Sequence, residues 1–264
     1  PSKGWLSINF KELYRYRELL WTLAYRDFRI KYAQTAVGVA WAIINPIFTL
    51  LILTFVFGTV AKVSTNTGVP HIVYTIVGMA GWSYFSTVLA DAGNSIIGAQ
   101  DMVKKIYFPR LIIPLSKAIT AFVDFFVVLA CMSVLMVYYQ VPLSGNFIWF
   151  PFFFLMAIVA GLTGGIWMSA LTIRFRDFQH ITPLLLRLGM YATPIAYPAS
   201  AAGDFKFILY ANPMCGVVEG MRWSIIGGEN PDPYMFISLA IFAVLFIFGL
   251  FYFRRVERVM ADIL

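Results

Sequence analysis

Charge is scarce in this chain of 264 residues: only 12% are Asp, Glu, Lys or Arg, against about 25% in an ordinary soluble domain. Set beside 60% hydrophobic residues, that scarcity excludes a water-soluble globule, because too few polar side chains remain to cover its surface. Cysteine and histidine are nearly missing as well. Cys131 and Cys215 form no C-x-x-C pattern, which excludes a disulfide framework or thiolate metal site built from them. His71 and His180 form no H-E-x-x-H or comparable cluster. There is no G-x-x-x-x-G-K-[ST] or other phosphate loop, so ATP hydrolysis by that route is excluded and any ATP-driven step needs a separate nucleotide-binding subunit. The first residues lack the basic, apolar and small-residue succession of a signal peptide, so the first long apolar segment is expected to stay in the protein.

What is present is long uncharged stretches. Residues 36 to 60 carry no charge and are long enough to cross a hydrocarbon layer of ~30 Å, with Asn45-Pro46 as a kink. Further crossings are read at 72 to 90, 118 to 139, 148 to 173 and 234 to 253. Between the last two, Pro183, Arg187, Pro194 and Pro198 interrupt the apolar run. Residues 181 to 197 read as a short, proline-marked fifth crossing, followed by segments at about 200 to 227 that dip into the outer leaflet. Backbone at that depth must be covered by protein or water, which points to an oligomer or a cavity. The expected fold is an all-α integral membrane protein with six transmembrane helices.

The net charge of +7 is spread unevenly. Most of the 20 lysines and arginines fall in residues 1 to 35, 91 to 117, 174 to 180 and the tail after 253, whereas the alternating regions hold only Lys62, Lys206 and Arg222. This is the positive-inside pattern for six crossings with both termini cytoplasmic. It makes the excess charge an orientation signal and removes the argument for nucleic-acid binding.

Residues 9 to 32 mix leucines, Trp21 and Phe28 with basic residues and tyrosines, as an amphipathic helix lying in the cytoplasmic interface does. It serves either as an anchor alone or also as a cuff against another subunit. In the loop after the second crossing, Ile96, Ile97, Met102, Val103 and Ile106 are spaced so that a short helix presents them, with Asp101, Lys104 and Lys105 at its flank. Asp124, seven residues past Lys117, lies about 10 Å along a helix from it and so near the cytoplasmic interface, where a contact between helices competes with an ion site. Glu219 and Arg222, three apart on one helix face, are expected to pair with each other. Gly161, Gly164, Gly165 and Ser169 make a small-residue face suited to close helix packing. The abundant aromatics are either interfacial belt residues or a surface along which sugar rings stack.

Particular words of sequence add to this. The motif R-D-F-x-x-K-Y-x-Q-T-x-x-G-x-x-W from Arg26 to Trp41, the loop MVKKIYFPRLIIPLSK at 102 to 117, IRFRDFQHITPLLLRLGMYATPIAYP at 173 to 198 and ANPM at 211 to 214 resemble the permease subunit of ATP-binding-cassette exporters of lipid-linked polysaccharides, above all O-antigen exporters. The resemblance covers essentially the whole chain. It implies one transmembrane domain over 1 to 264, with a cytoplasmic interface helix region at 1 to 35, spans one to five at 36 to 197, a re-entrant periplasmic gate region at 198 to 233, and the last span and tail at 234 to 264. It also implies a second copy of the chain, two copies of a cytosolic ATPase that uses ATP and magnesium, no cofactor bound by this chain, no catalysis by it, and a bacterial inner-membrane location.

Roles follow by resemblance alone. Arg26, Arg29 and Lys31 are expected to guide the diphosphate of an undecaprenyl-linked polymer. Ile96, Ile97, Asp101, Lys104, Lys105 and Ile106 are expected to couple to the ATPase, with Arg174 and Asp177 helping to transmit its motion. Trp82, Tyr84, Phe85 and Tyr191 are expected to line a sugar passage, and Tyr197, Tyr210, Glu219 and Arg222 to belong to the gate. The polymer is O-antigen or, by the same mechanism, capsular polysaccharide or teichoic acid. The rival class is an ion-coupled secondary transporter, which would need paired repeats and a midplane ion site.

Overall fold

A computed structural model describes residues 10–33, 38, 40–65, 67–228 and 230–263. Lys3 and the Gln34-Thr35 part of the amino-terminal motif lie outside the described residues. Every regular element among the described residues is helical. The helices are α1 (Phe10–Arg15), α2 (Arg17–Phe28), α3 (Ala40–Leu53), α4 (His71–Gly98), α5 (Gln100–Lys105), α6 (Ile112–Tyr138), α7 (Phe150–Arg174), α8 (Phe178–Ala192), α9 (Lys206–Tyr210), α10 (Pro213–Ile226) and α11 (Met235–Ile263).

Four helical stretches, Ala40–Val60, His71–Gly98, Ile112–Tyr138 and Gly145–Arg174, are long and apolar enough to cross a membrane. The chain is thus an all-α, multi-pass membrane protein. The first crossing passes from α3 into a π-helical stretch, Thr54–Val60, and tolerates Pro46 inside it. α8, at 15 residues, rises only about 22 Å. It ends where Thr193 turns extended, the conformation that the following Pro194 imposes. α11 contributes a shorter apolar stretch, Met235–Gly249.

α4 is the central helix. It is buried along most of its length, and its packing on α7 rests on small residues. A Cβ added to Gly165 would lie 2.6 Å from the Ala92 Cβ, and one on Gly161 would lie 2.9 Å from the Val88 Cβ. The glycines are what let the two backbones approach, which matters in lipid because van der Waals packing, not water exclusion, holds helices together there. Against α6 the core is aromatic. Tyr84 is surrounded by Phe122, Phe125 and Phe154 at 5.3, 5.6 and 5.1 Å between ring centroids, edge-on contacts worth about 0.5–1.5 kcal/mol each.

The amphipathic segment is two helices, with a break at Tyr16, followed by a π-helical turn, Arg29–Ala33. Its leucines face protein. Leu23 is buried with Ala99, Phe108, Ile112 and Ile113, and Leu13, Leu19, Leu20, Met102 and Val103 pack around them. The segment therefore docks on α5 and the start of α6, leaving Trp21 and Tyr25 exposed.

The short helix expected to present Ile96, Ile97, Met102, Val103 and Ile106 is divided between two elements. α4 continues through Gly98, and α5 is a separate short helix. The reason is tertiary: Ile96 is fully buried against Ile166 and Ile173 of α7, which extends α4 beyond the point where its apolar run ends.

Candidate functional site

Two polar assemblies sit at opposite ends of the bundle. At the amino-terminal end, carboxylates from α4 and α6 meet cations from the docked helices. The Lys31 ammonium lies 2.6 Å from Asp124 and 3.9 Å from Asp91. The Tyr32 hydroxyl donates to the other oxygen of Asp124. Burial first, then the hydrogen bond and charge of Asp124, push the Tyr32 hydroxyl far above the usual phenol range. Asp27, nearly buried, binds Lys117 at 2.7 Å and Arg26 at 2.9 Å.

Asp124 is accordingly a contact between helices, one of the two readings open from sequence. Of the three residues expected to meet a lipid diphosphate, Lys31 and Arg26 are each paired with a carboxylate, while Arg29 is exposed. At the same end α5 holds Asp101, Lys104 and Lys105 exposed, followed by Ile106 at 58% and Tyr107 at 84% exposure. Ile96 is fully buried and Ile97 packs beside it, so neither lies on the surface that α5 presents. Arg174 and Asp177 are exposed between α7 and α8.

The second assembly surrounds α10. Asn212 caps this helix by accepting from the Met214 amide at 3.0 Å, and Pro213 follows it, an arrangement suited to a helix start. Arg222 is 5% exposed. It donates to the Tyr74 hydroxyl at 2.7 Å and to the carbonyls of Pro194 and Ile195 at 2.6 and 2.8 Å. Its guanidinium carbon lies 3.8 Å from the centroid of the Tyr74 ring, within cation–π range. Glu219 instead accepts from the Tyr210 hydroxyl and from the Ala199 amide, the latter at 3.2 Å. The expected Glu219–Arg222 pair does not form: the one connection over 194–199 offers Arg222 two carbonyls and Glu219 one amide, and the Tyr74 and Tyr210 hydroxyls complete the two sets.

These residues border a cavity of about 340 Å³ lined by Tyr74, Lys206, Tyr210, Glu219, Arg222 and Asp232, among others. Lys206 and Asp232 pair across 3.2 Å at its edge. Tyr197 lies next to this region, its hydroxyl donating to the Tyr191 carbonyl at 2.8 Å.

The four aromatics read as a passage wall do not share one surface. Tyr84 is fully buried, its hydroxyl donating to the Ala118 carbonyl at 3.0 Å, and it belongs to the core between α4, α6 and α7. Trp82 is buried against Phe85, with ring centroids 5.3 Å apart, and against Gly189 of α8. Phe85 is half-buried, and Tyr191 is 52% exposed. Tyr74 and Asp232 were not singled out from the sequence, and Tyr32 was present only as a letter of the amino-terminal motif. Lys206 had a signal only as a charge outside the basic face. Among the described residues no group of three His, Cys, Asp or Glu side chains is placed to hold a metal ion.

A bundle of long apolar helices around a tightly packed central span, with charged and polar clusters confined to its two ends, defines a multi-pass membrane permease. The chain belongs to the ABC-2 type transporter family, whose model matches residues 18–226. It is similar to the O-antigen export system permease protein RfbA of Myxococcus xanthus, 29% identical over 255 residues that cover 94% of this chain and 96% of that protein. It is also similar to the O-antigen export system permease protein RfbA of Klebsiella pneumoniae, 26% identical with 94% and 95% covered, and to the polysialic acid transport protein KpsM of Escherichia coli, 24% identical with 89% and 92% covered.

Proposed function

We propose that this chain is the membrane subunit of an ATP-driven exporter that moves a lipid-linked polysaccharide, O-antigen in the first instance, outward across a bacterial inner membrane. The observation that carries the proposal is similarity along nearly the full length of both partners to proteins named for O-antigen export. With no phosphate loop in the sequence, hydrolysis of ATP with magnesium belongs to a cytosolic partner, two copies of which act on two copies of this chain. The exposed tip of α5, with Asp101, Lys104, Lys105 and Ile106, offers that ATPase a surface. Ile96, fully buried against α7, stands behind that exposed tip.

The amino-terminal end is cytoplasmic in this reading, in keeping with the basic residues gathered there. α8 and α11 complete six crossings, the short α8 being helped by neighbouring protein. α9 and α10 form a re-entrant gate at the outer face, with Tyr197, Tyr210, Glu219 and Arg222 in it. The exposed apolar face of α8, with Leu184, Leu188 and Tyr191, suits the second copy, and polymer passes between the two chains. Arg29, together with Arg26 and Lys31 once they leave their carboxylates, attracts the lipid diphosphate. Capsular polysaccharide is the second reading, favoured by the similarity to KpsM.

The test is reconstitution of this chain with its candidate ATPase in vesicles containing undecaprenyl-diphosphate-linked glycan. Glycan movement that requires both subunits and ATP supports the proposal. Movement by this chain alone under an ion gradient would overturn it in favour of secondary transport.

A further inference from the structure

The cavity beside α10 is chemically unlike the rest of the bundle. Its volume of about 340 Å³ is at the lower end of the 300–1,000 Å³ common for small-ligand sites, room enough for one or two sugar rings. Trp223, half-buried, gives it an aromatic wall, with the buried Tyr74 and Tyr210 behind, while Thr67 and Ser200 add hydroxyls and Glu219 and Asp232 add carboxylates.

Its cations are already engaged, Lys206 by Asp232 and Arg222 by two carbonyls and Tyr74. With two carboxylates opposing them, a phosphate would meet no net positive charge. Two of its lining side chains nevertheless keep unused capacity: Arg222 Nε and Trp223 Nε1 are buried with no hydrogen-bond partner. An aromatic face set among donors and acceptors, with charges internally balanced, suits a polyhydroxyl ring whose apolar face stacks while its hydroxyls both give and accept hydrogen bonds.

We infer that this cavity is a binding subsite for an uncharged sugar residue on the face of the bundle opposite the amino-terminal helices. This rests on the polysaccharide reading above and deepens it. The subsite gives the polymer a hold away from the lipid carrier. Glu219 and Asp232 accept from ring hydroxyls, and Trp223 covers the ring.

The test uses the full chain in phosphatidylcholine nanodiscs, without any ATPase, and soluble mannotetraose or maltotetraose as probe, followed by saturation-transfer NMR and by Trp fluorescence. The expected result is saturable millimolar binding, weakened about tenfold or more by Asp232→Asn and by Glu219→Gln and unchanged by pyrophosphate or glycerophosphoethanolamine. Thr67→Val, a change at the rim, serves as a third variant, expected to weaken binding without lowering the melting temperature. No saturable binding to either tetrasaccharide, or equal binding by all three variants, overturns the subsite. Displacement by pyrophosphate or glycerophosphoethanolamine also overturns it and assigns the cavity to a phosphate or lipid headgroup. Because transport is not measured, sugar binding by a chain that exports no glycan would sink the export reading and spare the subsite. Glycan export without sugar binding would do the reverse.

Discussion

Glu219 and Arg222 stand one helical turn apart on α10 and do not touch. Arg222 ties the helix to the Pro194 and Ile195 carbonyls and to Tyr74 of α4, while Glu219 ties it to Tyr210 and Ala199. The two charges thus act as separate staples that fix α10 to different elements. Arg222→Met removes the partner of two buried carbonyls and is expected to cost about 2–4 kcal/mol. Arg222→Lys, lacking the planar fork, recovers only part of that. Thermal unfolding of the purified protein in detergent reads both. A Met variant as stable as the parent would show that those carbonyls find other partners.

Lys31 and Asp124 join the docked amino-terminal helices to α6. The Lys31 side chain is 37% exposed, so solvent weakens the attraction, and a double-mutant cycle of Lys31→Met and Asp124→Asn should give a coupling of only about 0.5–1.5 kcal/mol. Additive effects would mean that this pair adds nothing to the docking, leaving it to the leucines of α2 and the Asp27–Lys117 pair.

Tyr32 gives this end of the protein a sensitivity to base. Its hydroxyl holds its proton more tightly in the folded state than at the ordinary value of 10.0. The stability this provides is complete below pH 10 and is lost as pH rises above it, where the unfolded chain ionises first. Tyr32→Phe should lower stability at pH 7 by about 1 kcal/mol and flatten the decline between pH 10 and 11. Unfolding midpoints of both proteins across that range decide it.

Close packing of α4 on α7 predicts a steep size dependence. Gly165→Val places new atoms against the Ala92 Cβ and the Val88 carbonyl and should destabilise by about 1–3 kcal/mol. The same change at Gly98, which has open space around its missing side chain, should cost less. Expression level and melting temperature of the two variants provide the comparison.

Surface and core roles of the isoleucines near α5 separate cleanly. Ile106→Asp, at an exposed side chain, should leave the melting temperature of the chain unchanged while weakening copurification with the ATPase at least about tenfold, a typical loss for an anchor residue. Ile96→Ala opens a cavity in the core and should instead lower stability by about 2–5 kcal/mol. Copurification unaffected by Ile106→Asp would remove α5 from the proposed docking surface.

Much of the bundle was legible in the sequence, because lipid imposes a rule that a single chain must obey locally. An uncharged run of about 20 residues can satisfy its backbone in hydrocarbon only as a helix, so the four long crossings follow from residues 36 to 60, 72 to 90, 118 to 139 and 148 to 173. The small face of Gly161, Gly164 and Gly165 follows too, since only packing can use it. The sequence also determined, through its missing phosphate loop, that these residues do not hydrolyse ATP by that route. Tertiary structure alone decided which groups meet. Tyr84 went into the core because three phenylalanines from α6 and α7 enclose it, and α4 outran its apolar run because Ile96 had α7 to pack on. Glu219 and Arg222, neighbours along the helix, were drawn apart because the connection over 194–199, Tyr74 and Tyr210 offer each of them its own partners. Hydropathy is a property of one segment, whereas the partner of a charge depends on what other segments bring within about 3 Å of it, and no local pattern carries that distance.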